Sequence, residues 1–209
     1  MRATSNRRSG TGCRRRRAMK KILLIAALLL AGGVPAPSLA ADAAPVLTIE
    51  NAFSPDGGAE ALVLKVIDSA ASTIRLAAYS FSSPRVVEAL LNARQRGVDV
   101  QVLVDARRNE RKNSRAALNR LVAAGIPTRV ISRYALHHDK YIVADGVTVQ
   151  NGSFNYTADA ATANSENVIV VWHGARLAQS YLAHWENRWA SGIDYARAPA
   201  TATAPAPLP

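Results

Sequence analysis

The sequence predicts an α/β fold, a single domain with a mixed β-sheet flanked by helices. Three observations lead there. Short apolar runs alternate with amphipathic helical patterns through residues 45–195. Gly97 and Gly125 close two of those patterns, as glycine past a helix C-terminus does. Two apolar runs flank Asp145-Gly146, the strongest short-range signal for a tight hairpin. Strand–helix alternation brings parallel strands together and the hairpin reverses direction, so the sheet is expected to be parallel first and antiparallel at the hairpin.

Taken in order, Val46 to Glu50 reads as a short strand and Ser54-Pro55-Asp56-Gly57 as a turn. A helix follows from Ala59 to Ala70, with Leu62, Val63, Val66 and Ile67 on one stripe. Thr73 to Tyr79 is a strand, and Ser83-Pro84 starts the helix Val86 to Arg96. Asp99 to Asp105 is almost continuously apolar, as a strand buried on both faces should be. Ser114 to Ala124 is helical and Thr128 to Ile131 a further strand. After the hairpin come the strand Asn167 to Trp172 and a long helix from Ala175 to about Trp189. Roughly 150 folded residues suffice for one adequate core. No internal repeat supplies a second copy of the hairpin.

The ends read differently. Residues 1–40 hold nine Lys and Arg and no acidic residue. Without them 17 basic residues face 15 acidic ones, so the whole-chain charge of +11 falls to +2. Met19-Lys20-Lys21, the apolar run Ile22 to Ala31, and Ser38-Leu39-Ala40 make a secretory signal peptide, cut near Ala40 or Ala41. The run is too short to span a bilayer comfortably. Met19 is a possible true start, and any nucleic-acid binding by Arg14 to Arg17 would be lost with the leader. The expected protein is exported, periplasmic or secreted, without membrane association once the signal is cut. Its only cysteine, Cys13, goes with the leader, which removes disulfide and thiolate chemistry. Residues 196–209, rich in Ala and Pro, read as a disordered tail.

A two-residue turn at Asp145-Gly146 pairs Ala144 with Val147, Lys140 with Asn151 and His138 with Ser153. Opposed residues share a face, and so does every second residue along a strand. His138, Lys140, Asn151, Ser153 and Asn155 then project together above a floor of Ile142, Ala144, Val147 and Val149. An imidazole, an ammonium, a hydroxyl and carboxamides in one place suit an oxyanion. Lys140, Ser153 and Asn155 can hold phosphate oxygens as charge shifts. A neutral His138 can attack phosphorus and divide hydrolysis into two covalent steps. Glu166 is a candidate to accept the other ring N–H of His138. Asp145 and Gly146 are structural turn residues in this reading, as Gly152 is in its strand.

An acid is still needed on the leaving-group side. His137 points to the opposite face of the strand, and His173 and His184 read as structural or surface residues. Symmetry supplies the acid: a homodimer would place two His138 rings across one shared site.

His138-x-Lys140, four residues to Asp145, six to Gly152-Ser153-x-Asn155, resembles the signature of the phospholipase D superfamily. Phe53-Ser54-Pro55, Ala78-Tyr79-Ser80-Phe81, Arg96-Gly97-Val98-Asp99-Val100, Asn164-Ser165-Glu166-Asn167 and His184-Trp185-x-x-Arg188-Trp189 resemble its small bacterial endonucleases. The resemblance covers about residues 50–195. It implies a phospholipase D-like fold, dimerisation with one active site at the interface, and no metal or other cofactor. It also implies His138 as nucleophile, Lys140, Ser153 and Asn155 as phosphate contacts, and Glu166 as partner of the histidine. No clustered carboxylates at His-rich spacing argue for a metal.

The basic run Arg107-Arg108-Asn109-Glu110-Arg111-Lys112-Asn113-Ser114-Arg115 follows the strand ending at Asp105. Ligands bind beyond the carboxyl ends of parallel strands, so Arg107, Arg108, Arg111 and Lys112 are expected to hold a polyanionic backbone without reading its sequence. The leading expectation is a metal-independent endonuclease acting on DNA, with RNA as the other nucleic-acid substrate. A phospholipase or phosphatidyl transferase is the alternative. A non-catalytic nucleic-acid binder ranks below both, because every catalytic position is filled. Trp185 and Trp189, among Leu177, Tyr181 and Leu182, read as a core face; Leu and Trp exposed together there would favour the lipid enzyme.

Overall fold

The computed structural model describes residues 46–196. The expected signal peptide, the possible start at Met19, Cys13 and the Ala/Pro-rich residues beyond Ala196 lie outside the described residues. Strands β1 (Thr48–Ser54), β2 (Thr73–Ala78), β3 (Asp99–Asp105), β4 (Thr128–Ile131), β5 (Lys140–Ala144), β6 (Thr148–Gly152), β7 (Glu166–Trp172) and β8 (Ile193–Asp194) form one sheet. Their order is β1-β7-β6-β5-β2-β3-β4-β8. β2, β3 and β4 are parallel, and β5 turns antiparallel against β2. The helices are α1 (Ala59–Ser69), α2 (Pro84–Gln95), α3 (Lys112–Ala123), α4 (Ala158–Thr162) and α5 (Ala175–Ala190). The mixed α/β sheet is the one the sequence predicts.

Period-two alternation along the central strands builds a core on each face. Ile74, Leu76 and Ala78 of β2 and Val100, Val102 and Val104 of β3 meet Val66, Ile67, Leu90 and Leu118 from α1, α2 and α3. On the other face, Ala77 and Leu103 meet Ala178 and Trp185 of α5. Each fully buried Val, Leu or Ile stabilises the fold by about 1.5–3 kcal/mol. Ser83 caps α2, its hydroxyl accepting from the Val86 N–H with Pro84 in the first turn.

Three elements depart from expectation. β1 continues to Ser54, because it pairs with β7 from Thr48–Trp172 to Ser54–Glu166, and it stops just before Pro55, which has no N–H. The five-residue α4 is too short to show a helical period, and β8 is a two-residue pairing with β4.

The hairpin register is a correction. Asp145 and Gly146 do occupy the turn with positive φ, and the Val147 N–H donates to the Ala144 carbonyl at 3.1 Å. The ladder nevertheless resumes as Ala144–Thr148, Val143–Val149, Ile142–Gln150 and Tyr141–Asn151. Val147 is an extra, unpaired residue, a bulge that slips β6 by one position. A one-residue slip sends every β6 side chain to the other face. Val149 packs with Val143 on the α5 side, and Asn151 donates its amide to the Tyr181 hydroxyl at 2.8 Å. Neither Val149 nor Asn151 therefore shares a face with Ile142 and Lys140.

The turn is fastened from a distance. The Asp145 carboxylate accepts from the N–H groups of Ala71, Ser72 and Thr73 and from the Ser72 hydroxyl, at 2.7–2.9 Å. Burial opposes its charge, but those donors outweigh burial and hold its pKa below the ordinary value. A carboxyl depressed in the folded state stabilises the fold above its unfolded pKa of about 3.9, and that contribution is lost as pH falls through the folded value. Asp145→Asn turns an amide toward these donors and is expected to cost about 1.5–3 kcal/mol in urea unfolding at pH 7. Unchanged stability would contradict the role.

Candidate active site

The site forms where the carboxyl ends of β2 and β3 meet the loop before β5. Asp105, the last residue of β3, is buried, and its carboxylate accepts from two backbone N–H groups, Arg108 at 2.7 Å and His137 at 2.9 Å. One side chain thus fixes both the basic loop and the histidine loop. Asn109 completes the joint: its amide donates to the carbonyls of Tyr79 and Asp105, and its oxygen accepts from the Phe81 N–H.

His138 stands in that loop, outside any strand, with an exposed side chain. The Tyr79 ring packs on it with centroids 4.4 Å apart. Lys140, the first residue of β5, is buried; its Nζ donates to the His138 carbonyl at 2.8 Å and lies 3.2 Å from Nδ1. An ammonium only donates, so in the isolated chain the lone pair sits on Nδ1 and the proton on Nε2. The Tyr79 ring also carries the Lys140 ammonium at 5.2 Å and the Arg108 guanidinium at 5.7 Å.

Gly152 explains how Ser153 reaches its place. A Cβ at Gly152, where φ is 154°, would lie 2.1 Å from the Asn167 carbonyl oxygen, so only glycine allows this approach of β6 to β7. Beyond it the Ser153 hydroxyl donates to Glu166 at 2.5 Å and accepts from the Asn167 N–H at 3.0 Å. The second Glu166 oxygen accepts from the Asn164 amide at 2.9 Å. Within one chain the Glu166 carboxylate is therefore committed to Ser153 and Asn164, and the ring of His138 meets Lys140 instead. The expected contact between Glu166 and His138 is absent from the described hydrogen bonds of the single chain.

Asn155 is half-buried between the fully buried Phe154 and Tyr156, and its Oδ1 has no protein partner. It lines a cleft of about 760 Å³ together with Arg108, Arg111, Lys112 and Arg120. Of the four basic residues expected to hold a polyanion, Arg108, Arg111 and Lys112 line this cleft, whereas Arg107 is exposed and does not. Sequence reasoning missed Tyr79, Asp105 and Asn109. Their signal was position alone, at or just beyond the carboxyl ends of two parallel strands. Among the described residues no group of three or more His, Cys, Asp or Glu side chains is arranged to hold a metal ion.

On α5 the Trp185 and Trp189 rings stack at 4.7 Å, with Trp185 buried and Leu177 exposed. No described helix is long and apolar enough to cross a membrane.

Burial first, and then the Lys140 charge, lower the pKa of His138 against opposing pulls from Asp139 and Asp105. Burial also lowers that of Lys140. The ring is thus neutral down to lower pH than a free imidazole. An NMR titration of His138 is expected to give a midpoint below about 6.5; a midpoint above that value would contradict this electrostatic picture.

Residues 63–189 match the family described as "Cardiolipin synthase, PLD-like domain". The chain is 37% identical over 143 residues to a phospholipase D of Rickettsia felis, covering 68% of this chain and 70% of the relative. It is 28% identical over 156 residues to a mitochondrial cardiolipin hydrolase of Xenopus laevis, covering 69% of this chain and 72% of that protein. The crystal structure of Nuc, a phospholipase D family member from Salmonella typhimurium, superposes with a TM-score of 0.71 at 47% identity, over 72% of this chain and 99% of that one. NucT from Helicobacter pylori shares the fold, with a TM-score of 0.60 at 16% identity over 71% of this chain and all of that one. A matched family over most of the described residues, carried on the same fold and signature residues, places this chain in the phospholipase D superfamily.

Proposed function

We propose that this chain is an exported endonuclease that hydrolyses phosphodiester bonds of nucleic acid without a metal and with little sequence preference, through a phosphohistidine in a homodimeric site. The observation that carries the reading is a cationic cleft beside His138 and Lys140: Arg108, which lines the cleft, shares the Tyr79 ring with both of them. Of the residues lining the cleft, Arg108, Arg111, Lys112 and Arg120 are positive and Asp159 alone is negative. A cleft so charged, without an aromatic side chain, suits a sugar–phosphate backbone better than a base.

In the proposed reaction an incoming phosphate offers Lys140 a stronger acceptor than the imidazole, which frees the ring. The unprotonated ring nitrogen of His138 forms a bond to phosphorus as the bond to the leaving oxygen breaks. That oxygen takes a proton from the partner subunit's His138, which the negative charge of the bound phosphate holds protonated against burial. The same second imidazole then removes a proton from water as the water displaces His138 from phosphorus, leaving a phosphomonoester. Asn155 holds a non-bridging oxygen through its amide N–H, and Ser153 holds another once its hydroxyl proton turns from Glu166 to the phosphate. Dimerisation has a surface to use. Ile49 and Phe53 of β1 share a sheet face with Ile169 of β7; all three are exposed, and the stripe ends at Asn167, which bonds Ser153.

The curated relatives named for lipid substrates make phospholipid the second reading. Of the large apolar residues of α5 only Leu177 is exposed while Trp185 is buried, which does not build the Leu–Trp membrane face that reading needs. Purified mature protein in EDTA, given plasmid DNA, RNA and cardiolipin vesicles in parallel, is expected to cut nucleic acid and leave the vesicles intact. Lipid hydrolysis without nucleic-acid cleavage, or activity lost to EDTA, would overturn the proposal.

A further inference from the structure

Both neighbours of His138 are tied down, and one of the ties leads to α5. His137 is buried, and its backbone N–H is held by Asp105. Its Nδ1 lies 3.4 Å from Oδ2 of Asp139. The same oxygen lies 3.0 Å from Nε2 of His184, midway along α5. A carboxylate only accepts, so the hydrogen bond from His184 places that ring's proton on Nε2. Burial lowers the pKa of His137 against opposing pulls from Asp139 and Asp105. Its Nε2 is buried with no protein partner.

His184 sits on a firm base. Trp185, the next residue, is buried in the core and donates its indole N–H to the Leu76 carbonyl of β2 at 3.2 Å. The ring of His184 itself is partly exposed and lines a pocket of about 340 Å³ with His138, Lys140 and Tyr181. A line of fixed points thus runs from the central sheet through Trp185 and His184 to Asp139, the residue between His138 and Lys140. Of the two contacts to Asp139, the one from His184 is the shorter. Without it, Asp139 keeps only the 3.4 Å contact to His137, and the loop that presents His138 has no regular structure of its own.

We infer that His184 is a positioning residue: acting through Asp139, it holds the His138 imidazole in line with the phosphorus it attacks. The inference rests on His138 being the nucleophile, as proposed above. It separates His184 from core packing, because what matters is one N–H aimed at one oxygen. Glutamine carries an N–H at the same number of bonds from Cβ as His Nε2, whereas methionine has similar length and no donor.

The experiment measures turnover of bis(p-nitrophenyl) phosphate by the full mature chain in EDTA, with the Tm of each variant recorded. His184→Met is expected to lower kcat about tenfold, the scale of a small misplacement of a reacting group, with KM little changed. His184→Gln should restore most of kcat. Asp139→Ala should show the same loss, and adding His184→Met to it should cost nothing further. Equal activity in the Met and Gln variants, additive losses in the double variant, or a change confined to KM would overturn the inference. Should the Met variant fail to fold, an unchanged kcat in Asp139→Ala does the same. His138→Ala serves as the separate control: if it still turns the ester over, the nucleophile reading fails whatever His184 does.

Discussion

The site depends on a single buried carboxylate. Asp105 ends the central strand β3 and takes the backbone N–H groups of Arg108 and His137 on its two oxygens. The cationic loop and the histidine loop are far apart in sequence and carry no regular contact of their own. A buried carboxylate without donors would be costly, so these two bonds are mutually enforcing: the charge needs the N–H groups, and the loops need the charge. Asn109 adds the end of β2 to the same joint, which brings Tyr79 under His138, Lys140 and Arg108. Strand ends, which the fold fixes, are thereby converted into side-chain positions, which chemistry needs.

The fold class was readable because it rests on periodicities. The apolar run of β3 and the stripes of α1 and α2 announce which faces are buried, and parallel strands with crossovers follow from them. The chemistry-bearing residues were readable because unusual residue types recur at fixed spacing around the hairpin. What failed was register. Nothing in Asp145-Gly146-Val147 distinguishes a two-residue turn from the same turn followed by a bulge, and that one extra residue moved Asn151 from the expected site to the hydroxyl of Tyr181. Glu166 is a different case, because within one chain its carboxylate has other partners. Sequence order cannot tell which of two nearby acceptor-seeking groups reaches a carboxylate first, and here Ser153 and Asn164 do. Asp145 lies between: its turn conformation is local and legible, while its donors at residues 71–73 belong to a connection brought alongside only by the fold.

Electrostatics divides the surroundings of His138 into two halves. Toward Asn155 the cleft is strongly positive. Toward α5 the negative Asp139 carboxylate faces the rings of His137 and His184. A polyanion is drawn to one side only, and the ring that faces it is kept neutral by burial and by Lys140. Membership of the phospholipase D superfamily accounts for the constellation. The proposal of a nucleic-acid substrate rests on the asymmetry of charge beside it.

The central claim is that two chains contribute one imidazole each to a single phosphorus atom. The most direct measurement mixes wild-type chains with His138→Ala chains under conditions that allow subunits to exchange, and follows turnover of a phosphodiester against the wild-type fraction. If both rings are required, mixed dimers are dead and activity at equal proportions falls to about a quarter. A fall to about one half, in direct proportion to the wild-type chains present, would show that one chain suffices and would contradict the account.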